Sequence, residues 1–217
     1  MSGEPIISLD GVSVRFGRQT VHQDITFSIR PGESVTLLGP SGTGKTVLLK
    51  LIIGLLRPAA GSVTVMGTRM DAAPEEELRQ KRQEIGMLFQ GAALFDSLSV
   101  YENVAYPLRE RGMKDDAAIT AIVAEKLGIV GLAGTEEKFP AQLSGGMKKR
   151  VGLARALASS PRIMLFDEPT TGLDPTSTRL IDDLIVKLNR EHDITCVAVT
   201  HDIASARRFS TRWILLN

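Results

Sequence analysis

The feature that most constrains the fold of this 217-residue chain is a glycine-rich turn that follows a short apolar segment. The turn consists of Gly39, Pro40, Ser41, Gly42, Thr43, Gly44, Lys45 and Thr46. It fits the Walker A pattern at every fixed position. Residues 35–38 before it are typical of a strand, and a helix is expected from Lys45. Because a phosphate-binding loop requires this order of strand, loop and helix, we predict an α/β fold that binds a nucleoside triphosphate.

Each part of this loop suits a triphosphate. Glycines let successive backbone N–H groups turn toward phosphate oxygens, and the following helix adds the positive end of its dipole. Lys45 is expected to reach the β- and γ-phosphates, and the Thr46 hydroxyl is expected to ligate Mg²⁺. The nucleotide-binding set ends at Thr46, and position 47 is given no role. The loop therefore indicates a bound nucleotide, but it does not identify the reaction.

An acidic pair, Asp167 and Glu168, follows the apolar residues 163–166. Open α/β sheets bind ligands at the carboxyl ends of their strands, so this pair is expected beside the phosphate loop. Asp167 is predicted to hold Mg²⁺ through water, and Glu168 is predicted to polarise an attacking water as general base. Two acids can also simply begin a loop, and the presence of the Walker A loop favours the catalytic interpretation.

Composition narrows the classes of function. The chain has 26 Lys and Arg against 25 Asp and Glu, so its net charge of +1 predicts no bulk attraction to nucleic acid. The single cysteine, Cys196, excludes an intrachain disulfide and is expected to be a small buried residue in a strand. Apolar residues 48–56 are interrupted by Lys50 and are far fewer than the ~20 needed to cross a bilayer. Residues 1–10 lack the pattern of a signal peptide.

The remaining periodicities divide the chain into a core and an inserted helical lobe. Strands are predicted at 7–9, 12–14, 61–65, 163–166, 195–200 and 213–216, and helices at 115–127, 147–158 and 177–189. Ser99 and Glu102 form a capping box that begins another helix, which Pro107 is expected to kink or stop. We predict one domain over residues 1–217. It has a parallel core with an antiparallel β subdomain (1–89 and 153–217) and a helical subdomain (90–152).

A second candidate anion site lies at the start of a lobe helix. Ser144 is a suitable N-cap, and Gly145 and Gly146 leave backbone N–H groups uncovered at the helix N-terminus. An ordinary helix start also uses Ser and Gly, so these three residues indicate an anion site only when they are taken together with the other motifs.

Taken in order, these motifs resemble the nucleotide-binding subunit of ABC transporters. The ordered set is the Walker A loop, Gln90, the signature 143–147 (LSGGM), Asp167 with Glu168, 172–174 (GLD) and His201. The resemblance covers nearly the whole chain and implies ATP and Mg²⁺ as ligands.

The resemblance also implies roles for residues that are ambiguous alone. Gln90 would touch Mg²⁺ and the attacking water, where it could otherwise be a surface residue. Asp174 would lie at a dimer seam, and His201 would contact the γ-phosphate, although a lone histidine here is more often a cap. Phe16 would stack on adenine or, equally, belong to the core.

Members of this family pair head to tail, and this implies a homodimer of ATPase subunits. Ser144 of one chain would then close on ATP held by Lys45 of the other. A separate integral-membrane permease would respond to that cycle through the helical lobe, with the ATPase on the cytoplasmic face of the inner membrane.

A finer resemblance is to the ATPase of Mla (MCE-type) phospholipid transport systems. It rests on segments 87–95, 103–110, 148–150 and 195–197, and on Met147 where most ABC subunits carry Gln. It implies an Mla-type permease, an MCE-domain protein and a small STAS-type regulatory subunit as partners. Leu94, Phe95, Tyr101 and Tyr106 are candidate lining residues of the permease-docking groove, with lobe core as the alternative.

Two departures from the Mla-type pattern accompany this resemblance. Gly91 stands where similar proteins often have Ser, and those ATPases usually continue past the position of Asn217 with a tail that helps subunits pair. The alternatives within the class are subunits for an amino acid or a metal, and outside it a non-transport ABC protein or a nucleotide switch without turnover.

Overall fold

The computed structural model describes residues 4–216. Its strands are β1 (Ile7–Phe16), β2 (Gln19–Ile29), β3 (Ser34–Leu38), β4 (Ala60–Val65), β5 (Thr68–Arg69), β6 (Ile85–Leu88), β7 (Ile163–Asp167), β8 (Thr195–Thr200) and β9 (Arg212–Leu215). Its α-helices are α1 (Lys45–Ile52), α2 (Glu75–Arg82), α3 (Val100–Glu110), α4 (Asp116–Ile129), α5 (Gly145–Leu157), α6 (Pro175–His192) and α7 (Ile203–Phe209). No helix within residues 4–216 combines the length and apolarity needed to cross a bilayer. Residues 1–3 of the segment searched for a signal peptide lie outside the described part.

The strands form two sheets. One sheet is antiparallel with the order β2-β1-β4-β5, and the other is parallel with the order β6-β7-β8-β3-β9. In the parallel sheet, β3 precedes the glycine loop, β7 ends at Asp167 and β8 ends at Thr200. Because parallel strands end at the same edge, the three segments that carry the predicted chemistry converge there.

The parallel sheet lies between two apolar layers. On β7, Met164 and Phe166 belong to a cluster with the helices α3 to α6, whereas Ile163 and Leu165 belong to a cluster with α1 and the antiparallel sheet. All four side chains are fully buried. A strand covered on both faces needs apolar residues without alternation, and residues 163–166 have this pattern.

Helices α3, α4 and α5 form the inserted lobe. The capping box is present: the Glu102 N–H donates to Ser99 Oγ (3.1 Å), and the Ser99 N–H donates to the Glu102 carboxylate (2.7 Å). The buried Asn103 holds the preceding turn, since its amide donates to three backbone carbonyls and accepts from the Phe95 N–H. The lobe entrance is therefore fixed by polar contacts within a few residues of α3.

Several predicted boundaries need correction. Residues 7–9 and 12–14 form one strand, because a bulge at Gly11 (φ 59°) shifts the register without ending it. Pro107 does not stop α3, which continues to Glu110. Helix α5 begins at Gly145, directly after its cap. It runs to Leu157, so the proposed subdomain boundary at 152/153 falls inside a helix.

A candidate nucleotide site at the carboxyl edge of the parallel sheet

The glycine loop has a backbone that only glycine accommodates easily. Gly42 and Gly44 have φ of 86° and 79°, in the left-handed region. A Cβ at Gly44 would also lie 2.4 Å from Val21 Cγ1 and 2.6 Å from His22 Nε2. Helix α1 starts after Gly44 with no side chain capping its N-terminus. The uncapped N–H groups and the helix dipole form an anion-binding end.

Lys45 bends back across this loop. Its ammonium donates to the carbonyl oxygens of Gly39 (2.7 Å) and Pro40 (2.9 Å), and its side chain is only 6% exposed. It also lies 3.8 Å from the Glu168 carboxylate. The positive charge is therefore held within the loop, where phosphate oxygens would be bound.

Thr46 and Asp167 meet where α1 begins and β7 ends, at the same edge. The Thr46 hydroxyl donates to Asp167 Oδ1 at 2.8 Å. Burial raises the pKa of the Asp167 carboxyl, and the bond from Thr46 opposes that rise. A hydroxyl and a carboxylate are the hard oxygen donors that Mg²⁺ takes alongside substrate phosphates. Within residues 4–216 no group of three or more acidic, His or Cys residues is placed to hold a metal ion.

The hydroxyl-bearing part of the loop ends at Thr46. The residue at position 47, which is given no role in binding, is Val47 and not a second threonine. Its side chain is half-buried and packs on the apolar cluster of α1 and the antiparallel sheet, and its N–H donates to the Gly44 carbonyl (2.8 Å). A valine side chain has no oxygen to offer a metal or a phosphate, so position 47 contributes packing to the site and no ligand.

Glu168 adopts an unusual backbone conformation. Its φ is 47°, and its N–H donates to the Val199 carbonyl of the neighbouring strand (3.0 Å). Non-glycine residues keep such a left-handed conformation only where surrounding contacts hold them, and they are found most often at functional sites. The carboxylate is 13% exposed and forms hydrogen bonds with His201 Nδ1 (3.0 Å) and the Thr171 hydroxyl (3.0 Å). The structure thus gathers Lys45, Thr171 and His201 around one carboxylate.

The other predicted site residues lie around this cluster. Gln90 is exposed two residues after β6, on a loop that Arg155 holds by donating to the carbonyls of Ala92 and Ala93. Phe16 ends β1 with 49% of its surface exposed, so the core alternative for Phe16 is wrong.

Among residues 4–216, the signature residues make no hydrogen bond to the Lys45 cluster. Ser144 caps α5 through the Met147 N–H (3.3 Å), and both Ser144 and Gly145 are exposed. Asp174 caps α6 by accepting from two backbone N–H groups at 3.0 Å, and its bonds with Ser177 lower its pKa. The two caps are neighbours, because a Cβ at Gly146 would lie 2.7 Å from Ser177 Oγ.

A groove of about 570 Å³ lies between the segment after β6 and α3. Phe95 and Tyr106 line it with their ring centroids 4.8 Å apart, and both are exposed. Leu94 and Tyr101 instead pack on the lobe core. Two of the four residues therefore line a groove, whose role in docking a permease stays a prediction, and the core alternative holds for Leu94 and Tyr101.

Sequence reasoning missed two contacts of Glu168. Thr171 bonds its carboxylate, and Lys149 Nζ donates to its backbone carbonyl at 3.2 Å. Thr171 could have been found as a hydroxyl three residues after the predicted base. Lys149 lies 19 residues away on α5, and no local pattern indicates that contact.

Comparison with known proteins agrees with this geometry. Residues 22–171 match the family described as ABC transporter. The chain is 49% identical over 201 residues to the probable ribonucleotide transport ATP-binding protein mkl of Mycobacterium tuberculosis, covering 93% of this chain and 56% of that protein. It is 43% identical over 215 residues to the methionine import ATP-binding protein MetN of Cupriavidus metallidurans, covering 97% and 62%. The chain thus spans a little over half the length of these relatives.

Solved structures show the same fold. The dimeric post-hydrolysis state of the ATP-binding cassette MJ0796 bound to ADP and Pi superposes with a TM-score of 0.89 at 36% identity, covering 97% of this chain and 94% of that chain. CbiO1 of Clostridium perfringens, part of the cbiONQ complex, superposes with a TM-score of 0.90 at 28% identity, covering 99% and 86%.

Fold and site together define a phosphate-loop nucleotide-binding protein of the α/β class. The chain belongs to the ABC transporter family, and more narrowly to its ATP-binding cassettes. The predicted fold class is confirmed, and so is membership of the ABC ATPase family.

Proposed function

We propose that this chain binds and hydrolyses ATP with Mg²⁺ and that two copies drive a separate membrane permease. The observation that carries the proposal is the Glu168 carboxylate, held between Lys45 and His201 beside the glycine loop. A base, a phosphate-binding cation and a metal-ligating pair at one edge are the components of phosphoryl transfer to water.

The arrangement assigns a role to each group. Lys45 and the loop N–H groups would bind the β- and γ-phosphates, and Mg²⁺, held by Thr46 and Asp167, would neutralise phosphate charge. Glu168 would accept a proton from the attacking water at its carboxylate. His201 would hold that carboxylate in place while contacting the γ-phosphate.

Three further parts complete the nucleotide site in this proposal. Gln90 would contact Mg²⁺ and the water from the loop that joins core and lobe. Phe16, exposed at the end of β1, would stack on adenine. Within Gly39 to Thr43, every residue except Pro40, which has no N–H, would contribute a backbone N–H group to the phosphates.

A homodimer would supply what one chain lacks. Ser144, Gly145 and Gly146 form the N-terminal end of α5, where the Ser144 hydroxyl bonds only its own helix within the described residues, and Asp174 lies beside them. In a head-to-tail pair these residues would close on nucleotide held by the other copy. The neighbour solved with ADP and Pi is described as dimeric, which supports this arrangement.

The groove lined by Phe95 and Tyr106 is the proposed docking place for the permease. Two exposed aromatic rings beside Arg155 offer an apolar floor with a polar edge, as helix-in-groove contacts require. In this proposal the ATPase is a peripheral subunit on the cytoplasmic face of the inner membrane.

The proposed transported molecule is a phospholipid, moved through an Mla-type permease with an MCE-domain protein and a small STAS-type subunit. The support is the resemblance carried by segments 87–95 and 103–110 and by Met147. A second candidate is import of a small solute such as an amino acid, favoured by the 43% identity to a methionine import protein.

Purification of the tagged chain from native membranes separates these candidates. Mass spectrometry is expected to identify a permease together with an MCE-domain protein. A solute permease in their place would support the importer, and no permease at all would contradict the transport proposal. The Tyr106→Ala variant is the matched control, because it should lose the permease while keeping ATP turnover.

A further inference from the structure

The backbone of Glu168 must be held by its neighbours. Its left-handed φ of 47° is unfavourable for a residue with a Cβ, and that conformation sets the direction in which the carboxylate leaves the chain. Three groups contact this backbone. The Val199 carbonyl accepts from the Glu168 N–H (3.0 Å), and the Thr171 N–H (3.3 Å) and Lys149 Nζ (3.2 Å) donate to the Glu168 carbonyl.

Of these three contacts, the bond from Lys149 is the one to which the proposed chemistry gives no role. Its side chain is 5% exposed, and an ammonium that deeply buried requires a specific partner. The Glu168 carbonyl is that partner. The neighbouring basic residues differ: Lys148 is half-buried, and Arg150 donates to the carbonyls of Val130 and Gly131 inside the lobe.

The position of Lys149 on α5 gives the contact a further consequence. It lies five residues after Ser144, about 7.5 Å along the helix axis. The N-terminal end of α5 therefore carries Ser144, which is proposed to contact nucleotide held by the other copy. Just over one turn later, the same helix carries Lys149, which bonds Glu168 of its own chain.

We infer that Lys149 is a positioning residue for ATP hydrolysis, which ties the signature helix to the backbone of Glu168. The inference rests on the proposed function. Movement of α5 when Ser144 engages nucleotide would reach the base through this hydrogen bond, without a change in the groups that bind ATP.

The test compares Lys149→Met, Lys149→Arg and the control Lys148→Met for kcat, KM and Tm of the full chain. The Met side chain keeps the length and loses the donor. It should lower kcat roughly 10- to 100-fold, as expected for a misplaced catalytic group, with KM near that of the wild type. Its Tm should not fall, because a buried charge is removed. Lys149→Arg should recover most of kcat, and Lys148→Met should match the wild type.

A wild-type kcat for Lys149→Met would overturn the inference. A loss of kcat accompanied by a clear fall in Tm would also overturn it, because the variant would then be damaged in its folding. The link to Ser144 is tested by combining Ser144→Ala with Lys149→Met. Linked residues give a combined loss smaller than the product of the single losses, whereas a fully multiplicative loss would contradict the link. Absence of turnover in the wild type would instead overturn the proposed function itself.

Discussion

His201 Nδ1 lies 3.0 Å from the carboxylate of Glu168, and the bond joins the ends of the adjacent strands β7 and β8. The histidine side chain is 55% exposed, whereas the carboxylate is 13% exposed. The carboxylate is therefore fixed in the fold, whereas the imidazole is open to solvent. In the proposed function, the imidazole would contact the bound nucleotide and the carboxylate would act on water.

Replacing Glu168 with Gln should remove turnover and leave nucleotide binding. The amide cannot accept the proton from water, so kcat is expected to fall by roughly 10²- to 10⁴-fold, the usual effect of a lost general base. ATP hydrolysis and equilibrium binding of a fluorescent ATP analogue measure the two quantities. Near-normal hydrolysis by this variant would contradict the assignment of Glu168 as the general base.

Replacing Lys45 with Ala should weaken nucleotide binding. The loop loses its buried cation, and affinity is expected to fall by at least roughly 100-fold, or about 2.8 kcal/mol. Titration calorimetry with Mg-ATP measures the change. Lys187→Ala is the matched control, because Lys187 lies on α6 in an exposed pair with Glu191. Equal affinities for wild type and Lys45→Ala would contradict the phosphate-loop assignment.

Cys196 should be chemically silent in the folded protein. It is buried on β8, and burial raises the pKa of its thiol to about 12. The reactive thiolate is then scarce at any ordinary pH. A thiol-specific disulfide reagent at pH 8 is expected to label the chain only after denaturant is added. Rapid labelling of the native chain would show that β8 opens or is exposed.

The buried carboxylate of Asp182 should make stability fall with rising pH. Asp182 Oδ2 accepts from Ser205 Oγ (3.0 Å) and Arg208 (3.2 Å), while Oδ1 has no partner within the described residues. Burial raises the pKa of this carboxyl above its ordinary value of 3.8. The folded state therefore holds the proton more tightly than the unfolded state. The contribution of Asp182 to the free energy of unfolding is full below pH 3.8 and is lost as pH rises through the folded pKa.

Urea unfolding of the wild type and Asp182→Asn, measured from pH 3.8 upward, isolates the contribution of Asp182 to stability, because the two proteins have all other acidic residues in common. The difference in unfolding free energy should shift with rising pH in favour of the Asn variant, and a difference that is constant with pH would contradict the account. Arg208→Ala should destabilise the fold by about 1–3 kcal/mol, because the buried carboxylate keeps its bond from Ser205 but loses its positively charged partner.

The site could be predicted from sequence where its geometry follows from strand order. The Walker A loop, Asp167 and His201 each follow a buried parallel strand or end one, and such strands end at one edge. The left-handed backbone of Glu168 and its contact with Lys149 could not be predicted, because they depend on how α5 packs against the parallel sheet. The same limit applies to Leu94 and Tyr101, whose burial depends on the packing of α3 rather than on a local pattern.

The central claim is that each copy lends Ser144 to nucleotide held by the other. The direct measurement mixes two chains with Mg²⁺ and ATP that carries a photoreactive group on the γ-phosphate. One chain is isotope-labelled and has Lys45→Ala with Ser144 intact; the other has Ser144→Ala and Glu168→Gln with Lys45 intact. Labelling in the Ser144–Met147 segment of the isotope-labelled chain is predicted. Labelling confined to the chain with intact Lys45 would contradict the account.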